Sequence, residues 1–172
     1  MSRSASALLL ALAPLAGCGA ADDEADAVPA AGTSSTRDAK SAMKRVSSDL
    51  YEMIGVKGKA SDNFPGVTKC PGKDAKTHFR IYHPWSFTPA AASDIDKVLE
   101  RLRRAMPERG WKIVEYGPDT SRNKNINLTA DHDKKKVSVI VVKMDKDDPP
   151  QLSLDLISGC YEVPDGEEAD PY

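Results

Sequence analysis

Between Thr36 and Ile54 the apolar side chains Met43, Val46, Leu50 and Met53 or Ile54 fall at steps of three and four, while Arg37, Lys40, Lys44, Arg45, Ser48 and Glu52 fill the other positions. That spacing predicts one amphipathic helix, capped by Ser35 or Thr36 and ended by Gly55 with Gly58. A loop rich in Gly, Asn and Pro follows, with room for one short extended piece near Val67 to Cys70. From Thr77 the period changes to two: Phe79 and Ile81 lie on one face, His78, Arg80 and Tyr82 on the other, which reads as a strand. Thr88-Pro89 offers a helix entrance, a capping hydroxyl followed by a proline at the first helical position, with Ser93 as a rival cap. The helix itself is marked by Ile95, Val98, Leu99, Leu102 and Met106, loosened at Pro107 and closed at Gly110.

After Gly110 the chain reads as strand throughout. Trp111 to Tyr116, Asn125 to Ala130, Val137 to Met144 and Gln151 to Ile157 are separated by a Gly-Pro-Asp turn, a charged tip from Asp131 to Lys136, and a turn over Asp145 to Pro150. Val137 to Met144 is apolar at both parities, which places it centrally in a sheet. Leu152, Leu154 and Leu156 share one face. Cys160 keeps their parity unless a bulge intervenes at Gly159, and its sulfur then points to the core. The expected fold is α+β: two helices packed on one face of an antiparallel sheet of about four to five strands, in the order α-β-α-β-β-β-β.

The two ends of the chain lack such patterns. Arg3 and the amino terminus precede twelve small or apolar residues from Ala5 to Ala16, interrupted by Pro14. A membrane-crossing helix needs about 20 apolar residues, so residues 1–17 read as a secretory signal. Leu15-Ala16-Gly17-Cys18 resembles the lipobox of bacterial lipoproteins. The resemblance implies cleavage after Gly17 and acylation of the Cys18 thiol; the competing reading is a chance cysteine after an ordinary signal. Each buried methylene contributes about 0.8 kcal/mol, and two or more chains hold a protein stably on a membrane. Gly19 to Ser35 carries four acidic residues, no base, and Val28 as its only sizeable apolar side chain. Residues 18–35 are therefore expected to be the lipidated cysteine and a disordered acidic tether, residues 36–163 a single globular domain, and residues 164–172 an acidic tail.

Charge sharpens this division. Removing residues 1–17 leaves 23 of the 24 basic and all 26 acidic side chains. The tether and the tail hold four acids each, so the segment 36–163 carries 23 basic against 18 acidic residues. That bias suits an anionic envelope polymer or lipid headgroups and falls short of a nucleic-acid footprint, so no nucleic-acid partner is expected.

With Cys18 assigned to lipid, Cys70 and Cys160 remain as an even pair, for which a bridge is the default in an oxidising compartment; two separate free thiols are the alternative. The order of leading helix, cysteine loop, strand, helix and a closing Leu154-Asp155-Leu156-Ile157-Ser158-Gly159-Cys160-Tyr161 resembles the LppA-like lipoproteins of actinobacteria. That likeness implies a structural bridge from the loop to the last strand and carries no activity with it.

Signatures of catalysis are missing: the chain has no G-x-S-x-G, P-loop, H-E-x-x-H or glycine-rich dinucleotide loop. No catalytic residue, metal site or cofactor is assigned. His78 and His83 face opposite sides of one strand, and Asp131-His132-Asp133 reads as a solvated turn beside Lys134, Lys135 and Lys136. Two features are left. The run Tyr82-His83-Pro84-Trp85-Ser86-Phe87 is either core or a recognition surface for sugar or peptide, and Arg101, Arg103, Arg104, Arg109 and Lys112 form a basic cluster. The sequence thus describes a non-enzymatic lipoprotein on the extracytoplasmic face of the cell membrane, held through acylated Cys18, with an envelope protein or anionic polymer as partner. A carrier of a small lipophilic ligand between helices and sheet is the alternative.

Overall fold

The computed structural model describes residues 28–170; the segment 1–17 expected to be a signal, Cys18 and the expected tether up to residue 27 lie outside the described residues. The helix α1 (Thr36–Ile54) has the bounds its periodicity sets. The Ser35 hydroxyl accepts from the Asp38 N–H at 3.2 Å, satisfying one of the free donors of the first turn, and Gly55 ends the helix in the left-handed region at φ 61°. The second helix, α2 (Ile95–Glu108), buries Ile95, Val98, Leu99, Leu102 and Met106.

The sheet is larger than the sequence led us to expect. Nine strands are present among the described residues: β1 (Ala30–Thr33), β2 (Gly58–Ala60), β3 (Gly66–Lys69), β4 (His78–Pro89), β5 (Lys112–Pro118), β6 (Ile126–His132), β7 (Val137–Met144), β8 (Gln151–Ser158) and β9 (Cys160–Glu162). Neighbours run β1-β9-β4-β8-β7-β6-β5, with β2 and β3 also paired to β4. The antiparallel meander β5-β6-β7-β8 is as predicted. The count of four to five strands and their simple order are corrected by β1, β2, β3 and β9, all of three or four residues and too short for a periodic pattern, of which β3 matches the short extended piece expected near Val67 to Cys70.

The twelve residues of β4 are the spine of the sheet. Its inward side chains Phe79, Ile81, His83, Trp85 and Phe87 are buried, and the register sets His83 opposite Leu156, Trp85 opposite Leu154 and Phe87 opposite Leu152. Val139 and Val141 of β7 continue these rows, then Ala130 and Leu128 of β6. Both helices close over this one face to form a single core, in which Leu50, Ile54, Val98, Leu102 and Leu154 have no exposure. The opposite sheet face is uncovered. β7 is an interior strand, yet its second apolar side faces outward: Ile140 is 45% exposed.

Three local expectations are corrected. Thr88-Pro89 does not open a helix, because Thr88 pairs with Lys59 and Pro89 with Gly58 in the sheet. The helix α2 instead follows a 3₁₀ turn at Ala92–Asp94, and Asp94 precedes it without a side-chain cap. The tether boundary at residue 35 moves back, since β1 lies inside that segment and pairs parallel with β9. The tail is attached near its end rather than frayed throughout: Ala169 packs on the core and its N–H donates to the Lys76 carbonyl at 2.7 Å.

The parity of Cys160 is corrected as well. Tyr82 pairs with Ile157 but Phe79 with Tyr161, so one extra residue is inserted between β8 and β9. This bulge sits at Gly159. It puts Tyr161 on the inner face, stacked on Phe79 at 5.5 Å, and turns Cys160 away from the helices. At the same point β1 takes over from β7: the Gly159 N–H donates to the Lys136 carbonyl and the Cys160 N–H to the Pro29 carbonyl. A Cβ on Gly159 would stand 2.3 Å from that Pro29 oxygen. Gly159→Ala should therefore cost about 1–3 kcal/mol in urea unfolding, as overpacking does. Gly117→Ala, where a Cβ meets nothing within 4 Å, serves as the control; equal midpoints for the two variants would contradict the tight junction.

Candidate functional site

Alternation along β4 sends His83 and Trp85 inward beneath α1, while Tyr82, Pro84 and Ser86 face the open side. The aromatic run is thus divided, and only its inward half reaches a site. A cleft of about 280 Å³ lies between α1, β4 and the chain after β2, lined by Lys44, Ser47, Tyr51, Glu52, Ser61, Asn63, His83 and Trp85 among others.

At its base a hydrogen-bond chain fixes the histidine. His83 Nε2 lies 3.0 Å from the Asn63 carbonyl oxygen, which can only accept, so Nε2 carries the proton. Burial pushes the His83 pKa below its ordinary 6.5, opposed by the Asn63 carbonyl and reinforced by Lys44, and the ring is neutral at pH 7. Nδ1 is then an acceptor, and the Ser47 hydroxyl donates to it at 2.7 Å. Ser47 can occupy the inner face of α1 because it stands four residues after Met43 and three before Leu50. The Asn63 side-chain amide donates to the Pro84 carbonyl at 2.9 Å, tying the loop to β4 beside His83.

Two buried side-chain polar atoms lack a hydrogen-bond partner among the described residues, Trp85 Nε1 and Asn127 Oδ1. Trp85 lines the cleft and is 5% exposed. An unpaired buried N–H is costly, and this one is sealed from solvent by its neighbours. The Ser47 to His83 contact pairs a hydroxyl with a neutral imidazole, but the far ring nitrogen meets a backbone carbonyl rather than a carboxylate. The chain is suited to holding a fixed polar floor.

Other residues singled out in the sequence lie elsewhere. Cys70 and Cys160 form a disulfide with Cα atoms 5.7 Å apart, and neither belongs to the hydrophobic core cluster. Cys18 lies outside the described residues. His78 and His83 do lie on opposite faces of β4. His132, read as part of a solvated turn, is buried at the end of β6, edge-on to Trp111 at 5.2 Å. Among the described residues no group of three or more His, Cys, Asp or Glu side chains is placed to hold a metal ion.

The basic cluster on α2 is largely engaged. Arg103 and Arg104 both bind Glu100, whose pKa they hold down to about 2, Arg103 also lies over the Tyr116 ring at 5.3 Å, and Arg101 donates to the Gly55 carbonyl. Sequence reasoning missed Ser47 and Asn63 altogether. The available signal was the polar residue on the apolar stripe of α1.

Burial lowers the pKa of both His83 and His132. The unfolded chain therefore takes up protons first as pH falls. Their contribution to stability is complete above the unfolded value of 6.5 and is lost as pH drops through it toward the folded values. Urea unfolding at about pH 7.5 and about pH 5.5 should show a fall that His83→Gln with His132→Gln flattens; an unchanged slope would contradict it. Ser47→Ala, which leaves Nδ1 unpaired, should cost about 1–3 kcal/mol at neutral pH in the same assay. No protein-family model, curated protein or solved structure matches this chain.

Proposed function

We propose that the protein is an exported, lipid-anchored binding module of the cell envelope that presents the cleft beneath α1 on the outer side of the membrane. The observation that carries this reading is Leu15-Ala16-Gly17-Cys18 standing at the end of an apolar run and ahead of a disulfide-closed domain. A bridge between Cys70 and Cys160 fits an oxidising compartment, in keeping with the signal-like segment 1–17. The likeness to LppA-like lipoproteins belongs to the same proposal.

Twelve residue steps separate Cys18 from Ala30, the first residue of β1. At full extension that is about 40 Å, an upper limit on how far the domain stands from its acyl chains. Ala30 pairs with Cys160 beside the turn that carries Lys134, Lys135 and Lys136. In this reading that lysine-bearing pole faces the membrane, where anionic headgroups attract basic side chains.

For the lipophilic-carrier alternative the structure offers a second cleft of about 380 Å³ between α1 and the sheet, where Met43, Val46, Val137 and Tyr161 are joined by Arg45, Asp49 and Lys135. The cleft at His83, lined by Ser47, Ser48 and Ser61 with Lys44, Glu52 and Asp62, favours recognition of a polar group. Replacing Cys18→Ser should move the protein from the membrane fraction to the soluble fraction and leave the segment 1–17 uncleaved by the lipoprotein route. Membrane attachment resistant to carbonate and equal to that of the unaltered protein would refute the anchor.

A further inference from the structure

We infer that the second cleft, on the flank of α1 away from His83, binds a single acyl chain with an anionic head, the chemistry shared by a fatty acid and a lysophospholipid. The inference rests on the lipophilic-carrier reading and names its ligand; the polar cleft at His83 takes no part in it. Its starting point is the division of α1 into two flanks. Lys44, Ser47, Ser48 and Tyr51 line the cleft at His83, while Ala42, Val46 and Asp49 line the other, together with Val137 at the start of β7 and Tyr161 of β9.

The floor of this second cleft is apolar. Met43, Val46 and Val137 form it, and the Tyr161 ring, stacked on Phe79, adds an aromatic wall. Burial pushes the Tyr161 phenol up, so that wall is uncharged at neutral pH. A sugar or a peptide backbone would give up hydration there without partners for its polar groups, whereas an acyl chain has none to lose. Met43 is unbranched and adapts its shape to a chain lying beside it. The volume of about 380 Å³ is near the lower end of the about 300 to 1,000 Å³ usual for ligand pockets, which suits one chain rather than a two-chain lipid.

The charged residues choose the head. Arg45 and Asp49 stand four apart on α1, the spacing at which opposite charges pair, yet the Asp49 carboxylate is taken by Lys135 of the β6–β7 turn at 2.7 Å. That bond joins the two walls of the cleft. Arg45, also lining it, is exposed and has no ion pair or hydrogen bond from its side chain among the described residues. In the adjoining turn Lys134 and Lys136 offset Asp131 and Asp133, so Arg45 is the uncompensated charge. A guanidinium takes a carboxylate or a phosphate through two parallel hydrogen bonds. A neutral lipid leaves it unused, and a cationic amphiphile meets repulsion.

The test is a titration of the chain from residue 18 with Cys18→Ser, which keeps every described residue and needs no detergent to compete for the cleft. Methionine methyl resonances report the site. Met43→Leu identifies the signal of Met43, and Met106, without exposure and outside the cleft, is the internal reference. Laurate should move the Met43 signal saturably, with a Kd of about 0.1 mM, and leave Met106 still. Decanoate, with two fewer methylenes to bury, should bind about 3- to 10-fold more weakly, and octanol more weakly than octanoate. The two charges of α1 act in opposite senses: Arg45→Gln should weaken laurate about 3- to 10-fold, and Asp49→Asn, which releases Lys135 toward the ligand, should tighten it about 2- to 5-fold. A variant that merely folds poorly loses affinity at either position. Lysophosphatidylglycerol in the same titration identifies the source: tighter binding than laurate assigns a membrane phospholipid, weaker binding a free fatty acid. A Met43 signal that ignores both amphiphiles, or that answers octanol and octanoate equally in the parent chain and in Arg45→Gln, overturns the inference. Such a result leaves the lipid anchor to be judged by the Cys18→Ser fractionation alone.

Discussion

The junction at Gly159 and Cys160 holds the molecule together, because three separate constraints meet in two residues. The Gly159 and Cys160 N–H groups pass from β7 to the incoming N-terminal chain, the register of the closing strand shifts by one, and the Cys160 sulfur is turned out to meet Cys70. The bridge spans 90 residues of sequence, and in the chain-entropy model a loop of that size is worth about 4–5 kcal/mol. It also fixes the end of β3, the strand that follows directly on the Asn63 loop. The same junction therefore governs where the N-terminal chain joins the fold and how firmly one wall of the cleft is held.

Coverage of a single sheet face explains where a site can form. β4 is long enough to pair with β2, β3, β8 and β9, and its inward residues serve two purposes along its length. Phe79, Ile81 and Phe87 are sealed into the core. His83 and Trp85 lie under the edge of α1, where the loop carrying Ser61 and Asn63 replaces a covering helix. Asn63 grips Pro84 with its side chain and His83 with its carbonyl, so the loop and the histidine position each other. A neutral imidazole and the hydroxyl that donates to it then lie on one concave surface.

Periodicity made much of this legible. Helix α1, helix α2 and strands β7 and β8 announce themselves through spacings of three and four or through strict alternation, because each buries a whole face. β3 falls on the short extended piece expected near Val67 to Cys70, whereas β1, β2 and β9, three or four residues long, exist through hydrogen bonds to β4 or β9, which no local pattern reports. The same cause hid the sheet pairing of Thr88 and Pro89, whose local chemistry resembles a helix start but whose partners Lys59 and Gly58 lie about thirty residues earlier. His132 looked solvated beside three lysines, although its parity with Leu128 and Ala130 points it inward. At the candidate site, alternation from Phe79 onward places His83 and Trp85 on the apolar face. The meeting of His83 with Ser47, 36 residues away, is tertiary information.

The central claim is that one cysteine is spent on lipid and the other two on each other, outside the reducing interior of the cell. Intact mass spectrometry of the membrane-extracted protein, before and after reductant, reads both at once. The account predicts a chain beginning at Cys18, heavier by its acyl groups, that gains two hydrogens on reduction. A chain that retains residues 1–17, or one that carries no acyl mass and gains nothing with reductant, would contradict it.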